Sequence, residues 1–388
     1  MTGRLARFNW LMFLSMTALV VIGTNAIWSA GNARAEAVFH GMWKNNLATA
    51  VLGFAVYFAL SFLDYRKILE WFSTPAYIAA VVMLVAVLIL GDEVYGGRRW
   101  LWFFQPSEIS KLCLLMFLSQ LLGRVDSRYA GSGFRGFLAV SALIALPALL
   151  ILAEPDLGTT LTLVPAALLL MFVARVWRRG LVVLLAAGAL AASAMLAAVY
   201  EAEKPGVSPE RREEILKYVP LKPHQVKRVK VFLFPQEDLM GAGYNLRQAK
   251  ISIGSGGFSG KGFGKGETNH LKYLPQSISM NDFIFCVYAE ETGFVGSLVL
   301  LMLFGGLLIP AAWVAFVARD VRGRLLALGI SALIFAHVYI NIAMSIGLVP
   351  ITGLPLPFIS SGRTFLLTVM AGLGLIQSVS IHREETKA

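Results

Sequence analysis

The sequence has little charge, little cysteine and little histidine, and these shortages exclude several classes of protein. Charged residues make up 15% of the 388 residues, against about 25% in a soluble domain, so a water-soluble globular protein is excluded. The two cysteines, Cys113 and Cys286, lie far apart in apolar segments. We expect them to pack as small hydrophobic side chains that carry no information on the redox compartment. Five scattered histidines offer no ligand spacing such as HExxH, so the sequence has no metal-binding motif.

The dominant feature of the chain is its long apolar runs. Hydrophobic residues make up 57% of the sequence. Runs such as Leu11–Trp28 and Gly180–Ala198 are long enough, at about 1.5 Å per helical residue, to cross about 30 Å of hydrocarbon. We therefore predict an all-α fold, a polytopic membrane helix bundle that forms a single domain over residues 1–388. Ten spans are predicted, near residues 9–27, 46–63, 75–91, 105–122, 135–153, 157–174, 180–200, 282–317, 325–348 and 363–381.

The eighth predicted span is too long for one crossing of a bilayer. We expect its first turns, Asp282–Thr292, to lie at the surface or to tilt before Gly293. Basic residues then sort between two sets of short loops and chain ends, with fifteen Lys and Arg in one set and four in the other. By the positive-inside rule, both termini are predicted to face the cytoplasm.

In this topology, residues 201–281 form a large extracytoplasmic loop between the seventh and eighth spans. The loop holds thirteen Lys and Arg against eight Asp and Glu, a net charge of +5. A basic excess on the outer side does not serve topology, so it indicates contact with lipid headgroups or a phosphorylated substrate. A solvated loop without a ligand is the alternative. Within the loop, His224–Phe234 predicts a short interfacial helix. The glycines of Gly254–Gly262 predict a tight turn and a close backbone approach.

Charged side chains near the ends of the predicted spans collect at the outer membrane face. Glu108 and Lys111 lie three residues apart on the fourth span, so they share a helix face and can pair. Asp156 lies between the fifth and sixth spans in the sequence Glu154-Pro155-Asp156, and Asp282 opens the eighth span. The cations on the same face are Arg98, Arg99 and Arg363. Side chains from distant parts of the sequence therefore converge on one side of the membrane.

Each of these groups also has a purely structural interpretation. Glu108 with Lys111 could be a mutually neutralised pair, and Asp156 could cap the sixth helix. Asp282 could be an N-cap, although a carboxylate at the mouth of an apolar span is by default a functional-site hypothesis. His337 and Asn341 of the ninth span are predicted to hydrogen-bond between helices.

Taken together, these motifs resemble the SEDS (shape, elongation, division and sporulation) glycosyltransferases, the family of the RodA and FtsW peptidoglycan polymerases. The matching segments run in family order over nearly the whole chain. They are Arg99-Trp100, Gln105–Glu108 with Lys111, Glu154–Thr159, Gly241–Tyr244, Lys250–Gly257, Asp282–Phe285, Ala289–Glu291 and Gly353–Ser360. The segment Lys250–Gly257, KISIGSGG, is closer to the RodA (elongation) branch than to the division branch.

The resemblance implies a ten-span protein that polymerises lipid II into glycan strands at the outer face of the bacterial cytoplasmic (inner) membrane during cell elongation. It implies that Asp282 is the catalytic residue, that Glu108 and Lys111 are the fourth-helix pair, and that Arg99 is the arginine before tryptophan. The predicted substrate-binding residues are Arg99, Glu108, Lys111, Asp156, Lys250, Lys261 and Arg363. A divalent cation, Mg²⁺ or Mn²⁺, is the one cofactor considered, with Glu108 and Asp282 as candidate ligands.

The chain departs from the family pattern in two places. Met280-Asn281 precede Asp282 where the family usually has His-Thr, and Ser361–Thr364 replace the usual Tyr-Gly-Gly-Ser, which adds Arg363. The sequence shows no transpeptidase motifs, so the resemblance implies a class B penicillin-binding protein as the partner that cross-links the strands. Other cell-elongation membrane proteins are further expected partners, and no nucleic acid is expected.

Two other function classes stay open at this point. A flippase for lipid-linked cell-wall precursors would need a polar path to the cytoplasmic side. The inner halves of the predicted spans carry little beyond loop arginines, which favours the enzyme. A non-catalytic scaffold for cell-wall enzymes would leave Asp282 and Glu108 replaceable.

Overall fold

The computed structural model describes residues 7–383 apart from 33–40, 95–96, 103, 125–132, 205, 220, 239–240, 268–273 and 276–278. These residues form thirteen helices and one β-hairpin. The helices are α1 (Trp10–Asn32), α2 (Met42–Phe62), α3 (Tyr65–Leu90), α4 (Pro106–Gly123), α5 (Phe134–Ala153), α6 (Leu157–Val173), α7 (Arg178–Glu203), α8 (Pro209–Leu216), α9 (Pro223–Leu233), α10 (Ala242–Ser255), α11 (Ile284–Val317), α12 (Val321–Ile346) and α13 (Arg363–His382). The strands are β1 (Asp92–Val94) and β2 (Gly97–Trp100).

The ten predicted spans correspond to α1–α7 and α11–α13. Eight of these helices are long and apolar enough to cross a membrane by length and composition. The other two are α6, which has 17 residues, and α4, which has 18 residues and carries Glu108 and Lys111. The predicted all-α polytopic bundle is confirmed.

Helix α3 begins at Tyr65, well before the predicted start of the third span near residue 75. The Asp64 side chain caps the helix by accepting a hydrogen bond from the Arg66 backbone N–H at 2.9 Å, as expected for an acidic N-cap. Pro75 lies inside the helix. The predicted start was wrong because the apolar run marks the hydrocarbon-facing part of a helix, whereas the cap marks where the helix begins.

The packing of the bundle is centred on α12, which contacts α4, α6, α11 and α13. Around it, α2 packs along α13 and α1 packs along α11. Helix α7 differs from these, because nearly all of its residues from 182 to 198 are exposed. It therefore lies at the edge of the bundle, where its second half contacts α8 and α9 of the loop.

Helix α11 is broken at Gly293, whose φ of 68° and ψ of −161° are not helical. The glycine-rich loop fills this break. The backbone N–H groups of Lys261 and Gly262 donate to the carbonyls of Glu290 and Glu291 at 3.0 Å, and Phe294 N–H donates to the Gly257 carbonyl at 2.9 Å. Thus the backbone groups freed by the break find partners, as burial requires. The predicted close backbone approach of the glycines is confirmed, and the helix is broken at Gly293, the residue before which a tilt or a surface position of the first turns was predicted.

The two polar ends of the bundle are separate. At one end, Tyr65 Oη donates to Asp320, and Arg66 Nη2 donates to the His382 carbonyl at 3.1 Å. Loops assigned to the basic set meet there. At the other end, the hairpin, the α5–α6 turn, the helix α9 and the start of α11 come together around one cavity. The predicted convergence of distant segments on one face is therefore confirmed.

Candidate active site

A cavity of about 290 Å³ opens at this second end of the bundle. Its walls come from six separate parts of the chain: β2, the start of α4, the start of α6, helix α9, the segment just before α11, and the α12–α13 connection with the first residues of α13. Its charged and amide side chains are Arg99, Gln105, Glu108, Asp156, Arg228, Asn281 and Asp282. A carboxylate-bearing cavity with cations on its wall can bind a polar, anionic substrate and move a proton.

Asp282 lies just before α11 and does not cap it. The N-cap of α11 is Phe283, and no side chain caps this helix end, so the N-cap interpretation of Asp282 is wrong. The backbone at Asp282 is fixed from two sides. Asn341 Nδ2 of α12 donates to the Asp282 carbonyl at 2.9 Å, and Ser360 Oγ donates to the Asn281 carbonyl at 2.6 Å. The main chain is thus held by the protein while the side chain faces the cavity.

The carboxylate of Asp282 makes no hydrogen bond within the described residues. Burial raises its pKa to about 6, and the nearby charge of Asp156 acts in the same direction, whereas the charges of Arg228 and Arg99 lower it. A carboxyl group with this pKa is mainly ionised at pH 7 and is a stronger base than an ordinary aspartate. Asp282 is therefore suited to accept a proton from a substrate hydroxyl.

Two guanidinium groups face this carboxylate. Arg99 of β2 donates from Nε to the Glu154 carbonyl at 3.2 Å and from Nη2 to the Pro155 carbonyl. Arg228 of α9 donates from Nη1 to the Thr352 carbonyl at 3.0 Å. Both side chains are half-buried. Backbone carbonyls thus orient the two cations without neutralising them.

Sequence reasoning placed Arg99 here but missed Arg228. The basic residues of α9 predicted a helix at the lipid interface, and nothing in that pattern distinguishes the one arginine that points to the cavity. The hairpin that carries Arg99 was also not predicted. Its two strands are three and four residues long, too short for a clear alternation of apolar and polar residues.

Asp156 caps α6, as the structural interpretation predicts, and its side chain also lies in the cavity wall. It is the N-cap of α6, where its Oδ1 accepts from the Thr159 N–H at 3.1 Å and its Oδ2 from Thr159 Oγ1 at 2.8 Å. It also lines the cavity and accepts from Gln105 Nε2 at 3.3 Å. Its neighbour Glu154 is fully buried, and its carboxyl oxygens have no hydrogen-bond partner within the described residues. Burial, and then the charge of Asp156, raise the pKa of Glu154 to about 8, so this group is protonated at neutral pH.

Glu108 and Lys111 form the predicted ion pair, with Lys111 Nζ 2.8 Å from Glu108 Oε2. Glu108 lines the cavity, but Lys111 lies beneath it and is only 1% exposed. The ammonium of Lys111 also contacts His337 Nε2 at 2.9 Å and lies 5.5 Å from the centre of the Phe365 ring. Because an ammonium only donates, His337 Nε2 must accept, and the ring proton then sits on Nδ1, 3.4 Å from the Pro355 carbonyl.

His337 and Asn341 thus hydrogen-bond between elements, as predicted, and their partners place both at the site. His337 supports Lys111 from below, and Asn341 holds the backbone of Asp282. The sequence signal was the four-residue spacing of two polar groups in an apolar span. That spacing identifies a polar helix face without identifying its partner.

The remaining predicted binding residues lie outside the cavity. Arg363, the first residue of α13, is exposed and does not line the cavity, although its neighbours Gly362 and Thr364 do. Lys250 is exposed on α10, where it packs beside Gly347. Lys261 forms ion pairs with Glu290 at 2.8 Å and Glu267 at 3.4 Å. Of the predicted set, the structure brings together Asp282, Arg99, Glu108 and Asp156, with Lys111 directly beneath.

Within the described ranges, no three His, Cys, Asp or Glu side chains are arranged to hold a metal ion by themselves. Glu108 and Asp282, the candidate metal ligands, line the same cavity as Asp156. Mg²⁺ commonly takes one or two carboxylates and completes its shell with water and substrate phosphates. These carboxylates fit that mode of binding, in which the substrate supplies the other ligands.

Fold and site together define a polytopic membrane protein whose cavity, at one end of the bundle, holds a carboxylate and two arginines that form no ion pair within the described residues. The profile of the cell cycle protein family of FtsW, RodA and SpoVE matches residues 9–385. The chain therefore belongs to this family, the SEDS peptidoglycan glycosyltransferases. It is closer to the RodA branch than to FtsW, as predicted.

Individual relatives agree with this assignment. The chain is 33% identical to peptidoglycan glycosyltransferase MrdB of Escherichia coli K12, over 96% of this chain and 93% of that protein. It is 31% identical to probable peptidoglycan glycosyltransferase FtsW of Trichlorobacter lovleyi, over 97% and 94% of the two chains. A solved chain from a study of polymerization and crosslinking by a peptidoglycan synthase complex superposes with a TM-score of 0.75 at 28% identity, over 97% and 99% of the chains.

Proposed function

We propose that this peptidoglycan glycosyltransferase polymerises lipid II into glycan strands at the outer face of the cytoplasmic membrane during cell elongation, with Asp282 as general base. The observation that carries the proposal is the free carboxylate of Asp282 opposite the guanidinium of Arg99, which has no acidic partner within the described residues. Both termini then lie in the cytoplasm. The relatives support the reaction class, and the fifteen-to-four distribution of basic residues supports the orientation.

The chemistry needs one base and one site for a leaving anion. Asp282 accepts the proton of a hydroxyl group on the acceptor sugar. The oxygen of that hydroxyl forms a bond to the anomeric carbon of the donor. The bond from that carbon to the pyrophosphate oxygen breaks, and the electron pair leaves with the undecaprenyl pyrophosphate. Arg99 stabilises this anion. General base catalysis of this kind contributes about 10²- to 10⁴-fold.

The remaining polar groups position these two residues. Glu108 reaches the cavity and is fixed by Lys111, which His337 supports in turn. Lys111 was predicted to contact the phosphates, but its burial beneath Glu108 favours a positioning role. A divalent cation bound by substrate phosphates together with Glu108 or Asp282 would supply further charge neutralisation. Arg363, Lys250 and Lys261 lie outside the cavity. Their positions therefore do not support a role in substrate binding.

The space below the cavity favours the enzyme over a flippase. With Thr368 as a polar exception, the small space beside Lys111 and His337 is lined mainly by apolar residues: Leu112, Ile330, Leu333, Ile334, Phe365, Val369 and Gly372. A flippase needs a polar route through this region for the sugar headgroup. Apolar packing here closes that route in the described part of the chain.

Polymerisation of lipid II by purified protein in detergent tests the proposal, since polymerisation needs no bilayer and flipping does. Wild type should produce glycan strands, and Asp282→Ala should lose the activity while it remains folded. Lys250→Ala, an exposed residue away from the cavity, is the matched control and should stay within about twofold of wild type. If Asp282→Ala keeps full activity, Asp282 is not the general base.

A class B penicillin-binding protein is the partner we propose for cross-linking the strands, alongside other elongation proteins. The superposition on a chain from a peptidoglycan synthase complex supports this proposal. Co-purification of the two proteins tests it, with a stable complex as the expected outcome.

A further inference from the structure

The helix α9 of the extracytoplasmic loop carries one arginine into the cavity. Arg228 lies 124 residues from Thr352 in sequence, and its guanidinium donates to the Thr352 carbonyl at 3.0 Å. We infer that Arg228 and Arg99 together form the diphosphate-binding site for the lipid-linked donor. This inference rests on the proposed function, because it names the residue that holds the leaving group of that reaction.

The two arginines interact with the charge of Asp282 without pairing directly with it in the described part of the chain. Neither forms an ion pair within the described residues, and each is oriented by backbone carbonyls. Burial, followed by the charge of Arg99, lowers the pKa of Arg228, whereas the charges of Asp282 and Asp156 raise it. The two cations therefore repel one another, and the nearby carboxylates offset part of this repulsion. An incoming anion removes this repulsion. The site is therefore more favourable when it is filled by a group of negative charge.

Donor geometry indicates a diphosphate. Arginine has five N–H donors in a planar fork that matches phosphate oxygens. Arg99 uses two of these donors on carbonyls and Arg228 uses one, which leaves several on each side of the cavity. Two forks that line one cavity suit an anion that has oxygens on two phosphorus atoms. A monophosphate can accept a full set of hydrogen bonds from one guanidinium group, whereas a diphosphate can accept hydrogen bonds from both.

The position of Arg228 is fixed by the packing of α9. Val226 packs with Val199 and Val219 in a small apolar cluster that ties α9 to the end of α7. Lys230, one turn after Val226, forms an ion pair with Glu203 of α7 at 2.8 Å. The neighbour Lys227 is exposed and lines a different depression, between α7, α8 and α9. Lys227 is therefore a matched control on the same helix.

Inhibition by inorganic pyrophosphate and by inorganic phosphate, measured during lipid II polymerisation in detergent, tests the inference. Wild type should be inhibited more strongly by pyrophosphate than by phosphate. Arg228→Gln should raise the KM for lipid II and weaken pyrophosphate inhibition by about tenfold or more, as expected for the loss of charge-assisted hydrogen bonds. Arg228→Lys should recover part of this loss, and Lys227→Gln should match wild type.

The outcomes separate this inference from the proposed function. A wild-type protein that makes no glycan strands refutes the function itself. An active wild type with unchanged KM and pyrophosphate inhibition in Arg228→Gln refutes the role of Arg228 alone. A variant that loses activity but keeps wild-type pyrophosphate inhibition also refutes it, because Arg228 would then act on something other than the diphosphate. Arg228→Lys keeps the charge, and its thermal unfolding shows whether substitution at this position disturbs the fold.

Discussion

Replacement of Asp282 by asparagine removes one buried negative charge while the size of the side chain stays the same. Burial raises the pKa of this carboxyl from 3.8 to about 6. At 1.36 kcal/mol per pKa unit, the ionised form costs the folded protein about 3 kcal/mol. The folded state binds the proton more tightly than the unfolded state, so this cost is absent below about pH 3.8 and complete above about pH 6. At pH 7.5 we therefore expect Asp282→Asn to be inactive and yet more stable than wild type.

Thermal unfolding in detergent at pH 7.5 and pH 5.0 measures this effect. The expected increase in Tm at pH 7.5 is on the order of 5 °C for a gain of up to about 3 kcal/mol, and it should shrink at pH 5.0, where wild type is mostly protonated. Glu210→Gln, which changes an exposed carboxylate on α8, is the control and should shift Tm little at either pH. The same titration should appear in kcat/KM of wild type, as an acid limb with its midpoint near pH 6.

Two results would refute the reasoning. If Asp282→Asn is less stable than wild type at pH 7.5, the carboxylate is stabilised by the cavity rather than strained in it. If wild type keeps its full kcat/KM at pH 5.0, Asp282 is not the group whose ionisation sets the rate.

Three further predictions concern the supports of the site. His337→Ala should lower kcat about tenfold with little change in KM, because the ammonium of Lys111 loses an acceptor and Glu108 loses its fixed position; steady-state kinetics separate the two constants, and an unchanged kcat would exclude this support. Gly260→Ala should lower Tm, since an added Cβ would lie 2.2 Å from the Glu291 carbonyl oxygen and φ is 79°; an unchanged melting curve would contradict the packing described. Removal of divalent cations with EDTA should slow polymerisation and added Mg²⁺ should restore it, and an undiminished rate in EDTA would rule out the cation.

The sequence was sufficient to predict the bundle because apolar runs report directly on burial in hydrocarbon. The length of the predicted span 282–317 indicated that its first turns, before Gly293, do not continue the crossing, but it did not distinguish a tilt or a surface position from the break that the structure has at Gly293. Helix boundaries were less predictable. The start of α3 depends on the cap formed by Asp64, a local hydrogen bond that hydropathy does not detect.

The candidate site was predictable where topology alone decides which residues meet. Asp282, Arg99 and Asp156 lie at span ends on one side of the membrane, so their convergence followed from the order of the spans. The order of the spans does not predict the direction in which a side chain points. Arg228 was therefore not distinguished from the other basic residues of its surface helix. Lys261 was predicted to bind substrate, whereas in the structure it pairs with Glu290.

The break at Gly293 divides α11 into a short N-terminal half and a long C-terminal half, and hydrogen bonds from the glycine-rich loop connect the two. The glycine-rich loop is bonded to both halves: the carbonyls of Glu290 and Glu291 in the short N-terminal half accept from it, and Phe294 N–H in the long C-terminal half donates to it. A protein that displaces this loop would therefore act on both halves of α11 at once, and through the N-terminal half on Asp282, the proposed base. A partner bound to the loop would in this arrangement be able to change the rate of the proposed reaction without entering the cavity.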